Sequence, residues 1–202
     1  MYIRKGHADL VVLMNIFICR HGETNWSSIK RLQGKTENSL NSMGITTSNN
    51  LAVFFKYKNL TKASIVSSPL KRAAQTAEII ARKLKTSVVY DSRLSERDFG
   101  ELTGFLFEEV RDKVLSQRIC GFENDNQLRD RIKNFWNDLV QDSSLENKTI
   151  VIVTHSLVIN MLLSLINYKY DLDDSKMNHK RVYNVRTAKG TVVSVNSVLL
   201  DE

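Results

Sequence analysis

Two short apolar runs in this chain end on the same residue type. Asn15-Ile-Phe-Ile-Cys19 leads into Arg20-His21-Gly22, and Thr149-Ile-Val-Ile-Val153 leads through Thr154 into His155. Runs of this length, rich in isoleucine and valine, fit strands buried on both faces, as in parallel sheets covered by helices. In open α/β sheets, ligands bind outside the carboxyl ends of the strands. Two such strands, each delivering a histidine to that end, put both imidazoles at one crevice although they are remote in sequence.

The rest of the chain alternates strand and helix patterns. A helix-compatible stretch covers 45–57, with Gly44 ahead of it. A short strand at Ser64–Ser67 runs into a helix opened by Pro69 near its first turn and continuing to about Leu84. Ser87–Tyr90 reads as a strand, 105–117 and 126–141 as helices, Thr149–Val153 as a strand and 156–167 as a helix. Arg181–Val185 and Thr191–Val198 form a hairpin pattern turning at Lys189-Gly190. Strands separated by helices predict an α/β fold: a three-layer α/β/α arrangement with a mostly parallel central sheet. Residues 1–14 are expected to be an N-terminal extension, with Met1 or Met14 as the start. Residues 15–202 are expected to form one catalytic domain, with 100–145 as a helical insertion covering the site.

Composition narrows the function. The 202 residues carry 29 Lys+Arg against 22 Asp+Glu, a net charge of +7 that favours anionic partners. The basic residues form neither a long block nor a helical stripe with interleaved aromatics, so nucleic acid is not the expected partner. The apolar stretch before Cys19 is too short to span a bilayer and is interrupted by Asn15, so no membrane partner is expected. Cys19 and Cys120 supply neither a disulfide framework nor metal-ligand spacing, which fits a reducing, cytoplasmic setting. Cys19, inside a strand pattern, reads as a small core residue.

Four segments carry chemistry. A lone histidine after a strand is more often structural than catalytic. His21, however, is flanked by Arg20, a planar fork matching phosphate oxygens, and by Gly22, which lets backbone approach a ligand. Arg72 falls in the first turn of a helix that starts at a strand's carboxyl end, where free N–H groups and the dipole favour an anion. His155 is followed by Ser156, a candidate N-cap. Leu94-Ser-Glu96-Arg-Asp-Phe-Gly100 is a carboxylate-bearing loop after a strand. Phosphoryl transfer needs cations around the transferring group and a proton donor for the leaving oxygen. By composition alone Glu96, Asp98 or Glu101 could be that donor.

Together these segments resemble the histidine phosphatase superfamily, the phosphoglycerate-mutase-like fold. The matching blocks are Arg20-His21-Gly22-Glu23-Thr24, Arg31-Leu-Gln33-Gly34, Ser39-Leu40 with Gly44, Ser67 through Ala77, Leu94 through Gly100 with Gly104, and Val153-Thr-His155. They stand in the family's order and span most of residues 15–160. The resemblance implies that His21 is the nucleophile and becomes transiently phosphorylated. It implies that Arg20, Arg72 and His155 neutralise the phosphoryl oxygens, and that Glu96 protonates the leaving oxygen. Ser27, Gln33 and Gly34 would be further substrate contacts. No cofactor and no metal are expected, because the arginines and His155 supply the positive charge.

Some positions depart from the family's pattern. Ser27 follows Trp26 where an asparagine is usual, Ser156 replaces the usual glycine after the second histidine, Glu37 stands for an aspartate and Ser39 for a proline. Phosphoglycerate mutases of this type carry a longer insertion after the acid loop, with extra arginines and a proline-rich turn. Residues 105–126 here contain no proline and offer only Arg111 and Arg118. The expected activity is thus a metal-independent phosphomonoesterase acting on a small phosphorylated metabolite. A cofactor-dependent phosphoglycerate mutase and a non-catalytic phosphate-binding or adaptor module are the alternatives, and a homodimer is compatible with either. No role is evident for His7 or His179.

Overall fold

The computed structural model describes residues 13–168 and 179–200. The first twelve residues of the expected extension, His7 among them, lie outside that range. Six strands form one sheet: β1 (Leu13–Arg20), β2 (Ser64–Ser67), β3 (Val88–Tyr90), β4 (Thr149–Thr154), β5 (Arg181–Ala188) and β6 (Thr191–Leu199). Their order is β3-β2-β4-β1-β5-β6. Neighbours from β3 to β1 pair parallel, and β5 runs opposite to the other five strands. The mostly parallel sheet expected from the sequence is therefore present. β1 starts two residues before Asn15, and Met14 is a buried core residue.

The helices are α1 (Asn25–Ser28), α2 (Ser42–Tyr57), α3 (Lys71–Leu84), α4 (Phe107–Ser116), α5 (Asp125–Gln141) and α6 (Ser156–Leu165). In α3 the buried Ala73, Thr76, Ala77, Ile80, Ala81 and Leu84 recur at three- and four-residue spacing, which is one helical face. That face packs with Leu51 and Phe55 of α2 against Cys19, Ile65, Val151 and Val153 of the sheet. Ile16, Ile18, Ile150 and Ile152 point the other way, into a core closed by α5 and α6. Alternate residues of β1 and β4 thus feed opposite layers, and this gives the α/β/α sandwich. Cys19 is buried, its Sγ donating to the carbonyl of Ile152, in agreement with its reading as a core residue. Among the described residues no helix is long and apolar enough to cross a membrane.

Two starts differ from the sequence reading. α2 begins at Ser42, capped by Asn41 whose side chain accepts from Gly44 N, so Gly44 lies inside the first turn instead of ahead of it. Its role is close approach: a Cβ at Gly44 would lie 2.1 Å from the carbonyl oxygen of Glu23. A Cβ at Gly22 would in turn lie 2.3 Å from the carbonyl oxygen of Gly44. The two glycines let the loop leaving β1 lie directly on α2, where Asn41 N also donates to Glu23 O. The second difference is at α6, where His155 itself occupies the N-cap position without a side-chain cap and Ser156 is the first helical residue. His155 keeps an extended backbone (φ −126°, ψ 165°), so its ring leaves the strand end and is not drawn into the helix.

The interlock predicts that Gly44→Ala is destabilising although alanine is the better helix former. Backbone must shift to admit the methyl, which costs about 1–3 kcal/mol. Urea unfolding should report a loss in that range, and an unchanged midpoint would refute the close-approach account.

Candidate active site

The parallel register pairs Arg20 of β1 with Thr154 of β4. His21 N then donates to Thr154 O at 2.9 Å, so the two strands hand over their histidines side by side, with ring centroids 5.1 Å apart. Ser68, leaving β2 next door, donates its N–H to Val153 O, and its hydroxyl lies 2.8 Å from Nε2 of His155. Three adjacent strand ends thereby converge on one place.

Helix α3 is tied to the same place. Gly22 N donates to the Thr76 hydroxyl, which itself donates to the Arg72 carbonyl. The fully buried Arg72 guanidinium donates to the carbonyls of Gly34 and Thr36, each at 2.8 Å, while its Nε has no protein partner. Glu37 accepts from Lys71 N, so its carboxylate caps the start of α3. The glutamate that replaces the usual aspartate thus complements the helix dipole.

The fourth contribution comes from the loop after β3. Thr154 donates its hydroxyl proton to Leu94 O at 2.7 Å, and Arg131 braces Arg93 O while ion-paired to Glu123. This fixes Glu96, buried beside the cavity, with Oε1 accepting from Arg97 N. Asp98 instead faces Lys35 at 3.4 Å, and neither it nor Glu101 reaches the cavity wall. Of the three carboxylates that composition offered, the structure brings only Glu96 to the site.

Arg20, His21, Arg72 and Glu96 line one cavity of about 680 Å³. His21 Nδ1 lies 2.7 Å from Gly22 O. A carbonyl can only accept, so Nδ1 carries the proton and Nε2 keeps its lone pair. Burial first, then the nearby His155, Arg20 and Arg72, holds His21 well below the ordinary histidine range. His155 is lowered in the same way by burial, then by Arg72 and Arg20, and its Nδ1 is buried with no protein partner. Burial pushes the Glu96 carboxyl above the usual range in spite of Arg72 and Arg20. Burial also lowers both arginines, to about 10, which leaves them charged at neutral pH. The arrangement is a neutral imidazole with a free Nε2, a carboxyl whose pKa is raised by burial and two fixed cations around one cavity.

The remaining expected contacts divide. Gln33 lines the cavity, its Oε1 accepting from the Thr24 hydroxyl. Ser27 is on the wall, but its hydroxyl closes the cap of α1, accepting from Thr24 N and donating to Thr24 O. Gly34 is not on the wall, because its carbonyl holds Arg72. His179, without a role in the sequence reading, joins the site: its Nδ1 donates to His21 O at 2.6 Å, and its ring lies edge-on to His21 at 5.5 Å. No motif spacing marks it, since only the β1–β5 pairing brings residue 179 beside residue 21. Among the described residues, no three His, Cys, Asp or Glu side chains cluster as a metal site requires.

Comparison with known proteins identifies one superfamily, with phosphatases and phosphoglycerate mutases among the relatives. The family model described as histidine phosphatase superfamily (branch 1) matches residues 16–196. The Bacillus subtilis protein named uncharacterized phosphatase PhoE is 33% identical over 152 residues, covering 75% of this chain and 77% of its own. The probable phosphoglycerate mutase GpmB of Proteus mirabilis is 32% identical over 165 residues, covering 76% and 75%. Among solved structures, Entamoeba histolytica phosphoserine phosphatase superposes with a TM-score of 0.70 at 28% identity, covering 92% of this chain and 98% of that one. A Bacillus anthracis phosphoglycerate mutase gives 0.73 at 20% identity over 93% of each, which shows a shared fold.

Burial of His179 has a consequence for stability. Its pKa falls to about 3, through burial and then Arg20. Folded pKa below unfolded pKa means that its contribution is fully present above about pH 6.5 and is lost as pH falls toward the folded value. Between pH 7 and pH 5 the loss from this one group amounts to about 2 kcal/mol. The parent should lose about that much more than His179→Asn over the same interval in urea unfolding, and parallel pH profiles would refute it.

Proposed function

Since the chain belongs to the histidine phosphatase superfamily, we propose that it is a metal-independent phosphomonoester hydrolase working through a phosphohistidine at His21. The observation that carries this reading is the pinned tautomer: Nδ1 of His21 is bound to Gly22 O, which leaves Nε2 as a nucleophile in a cavity shared with Glu96, whose carboxyl burial pushes above the usual range.

In the first step, the Nε2 lone pair attacks phosphorus, the bond to the leaving oxygen breaks, and the Glu96 proton passes to that oxygen. Arg20 and Arg72 face the equatorial oxygens. His155 is buried behind the cavity wall, with Ser68 against its Nε2 and its Nδ1 unpartnered, and in this reading its Nδ1–H meets another oxygen. Charge-assisted hydrogen bonds of this kind are worth about 1.5–3 kcal/mol each. In the second step, water attacks phosphorus and gives its proton to the Glu96 carboxylate. The P–N bond breaks, phosphate leaves, and both groups return to their starting forms. Each catalytic group is used twice and no proton is lost.

A mutase would have to retain the substrate and return its phosphoryl group to a second oxygen. It would need cations for the substrate's carboxylate; Arg111 and Arg118 do not line the cavity, Arg31 and Arg97 on its wall are engaged by Gly104 O and Asp125, and Lys30 there is exposed to solvent. The GpmB relatives keep phosphoglycerate mutation as the second reading. We read residues 15–202 as the catalytic domain and a small phosphorylated metabolite as its substrate.

Two measurements test the reading. His21→Ala should lower phosphate release from p-nitrophenyl phosphate, with a chelator present, at least about 10³-fold. The parent, quenched during turnover with labelled substrate, should carry acid-labile, base-stable label that the variant lacks. Undiminished release by the variant overturns the mechanism, and isomerisation of phosphoglycerate dependent on a bisphosphorylated primer overturns the hydrolase in favour of the mutase.

The pH profile of kcat/KM follows from the two shifted groups. His21 must be neutral, and its depressed pKa keeps it so well below pH 6.5. Glu96 must be protonated, and its raised pKa lets activity fall only as pH rises past the ordinary carboxylate range. The optimum is expected on the acid side of neutrality, with the alkaline limb absent in Glu96→Gln. An optimum above pH 8 would contradict the assigned acid.

A further inference from the structure

The backbone around His21 is held at three points. Ahead of the side chain, His21 N donates to Thr154 O of β4. Beyond it, Gly22 N donates to the Thr76 hydroxyl of α3 at 3.0 Å. Between the two, the His21 carbonyl accepts from Nδ1 of His179 at 2.6 Å. A buried carbonyl needs a donor, and here a side chain supplies it from two residues before β5 begins.

These ties act on one geometric quantity. The positions of N and the carbonyl carbon about Cα fix the direction of the Cα–Cβ bond, and so the place where the imidazole starts. Gly22 cannot fix it alone, because a residue without Cβ leaves the backbone free over a wide range. The Gly22 carbonyl, which selects the His21 tautomer, rides on the same turn. Releasing the His21 carbonyl therefore loosens both the aim of Nε2 and the bond that keeps its lone pair free.

The rings add a second restraint. His21 meets the edge of the His179 ring at 5.5 Å and 60°, and the tilted His155 ring at 5.1 Å and 57°. His179 does not line the cavity, so its effect on a reaction there passes through His21.

We propose that His179 is a positioning residue for phosphoryl transfer: its Nδ1–H, bound to the His21 carbonyl, keeps Nε2 of His21 aimed and unprotonated. The effect on turnover rests on the hydrolase reading, whereas the effect on the His21 tautomer does not. Misplacing a reacting atom by about 1 Å costs about 10²-fold. The tie thus bears on turnover more than on binding, which Arg20 and Arg72 provide.

Two substitutions separate the bond from the ring. His179→Phe keeps a ring in place and removes the donor, whereas His179→Asn removes the ring and keeps an N–H near the place of Nδ1. With p-nitrophenyl phosphate, the Phe variant should lose about 10- to 100-fold in kcat with KM within about threefold. The Asn variant should keep kcat within about threefold of the parent. Nitrogen NMR of the imidazoles reads the same tie without turnover. His21 should show the Nδ1–H tautomer alone in the parent and the Asn variant, and a mixture of tautomers in the Phe variant. Should the Phe variant unfold, His179→Ala takes its place in both measurements. A parent-like kcat or a parent-like tautomer without the donor overturns the inference and leaves the hydrolase standing. An Asn variant as slow as the Phe variant overturns it too, because the bond is then not the cause. If the parent releases no phosphate, the hydrolase reading falls, and the tautomer comparison alone decides the tie.

Discussion

One hydrogen bond sets the geometry of the site: His21 N to Thr154 O, the last rung of the parallel β1–β4 ladder. Because the strands are parallel and in register, they end together, and the next residue of each is a histidine. A shift by one residue would turn each β1 side chain to the other face and separate the rings. The interdigitated isoleucines of β1 and β4 make such a slip costly, since it would reverse which side chains enter each core layer. The packing of the sandwich therefore fixes the spacing of the two imidazoles, and the loops need only bring in the arginine and the carboxyl.

The electrostatics follow from how dry this place is. Burial alone would discharge acids and bases alike. Here it moves each group toward the form that phosphoryl transfer uses: both imidazoles are held neutral, the Glu96 carboxyl is pushed above the usual carboxylate range, and the two guanidiniums stay charged because their intrinsic basicity is so high. Hydrogen bonds refine this. Gly22 O selects the tautomer of His21, and the carbonyls of Gly34 and Thr36 hold Arg72 without neutralising it. Using carbonyls in place of carboxylates keeps the cation's charge available to an incoming anion.

Much of this was legible in the chain. The strands ending at His21 and His155, the α3 helix with Arg72 in its first turn, and the acid loop are local patterns with short-range causes. What escaped the sequence has long-range causes. Gly44 looked like a helix boundary because its constraint is the backbone of Glu23, which no local pattern records. Ser27 carried a polar hydroxyl in the right block, but the capping geometry of α1 engages it. Gly34 matched a motif, yet its carbonyl serves Arg72. His179 was invisible because its partner is a backbone carbonyl reached only through the antiparallel pairing of β5 with β1. Asp98 and Glu101 could not be separated from Glu96 by composition, since only burial distinguishes them.

The division of the cavity explains why the chemistry can be read further than the specificity. The end that holds His21 and Arg72 is built from strand ends and the first turn of a core helix, elements whose positions the hydrophobic pattern dictates. The rest of the cavity is built from α4, the start of α6 and two loops, and its core is a satellite of a few side chains. Its shape depends on which apolar residues face the cleft and which face inward, and that choice follows from tertiary packing. Leu115 illustrates the point. In sequence it is one more leucine on an amphipathic helix, and only the folded chain leaves it in the open on the wall of the cavity that His21 also lines.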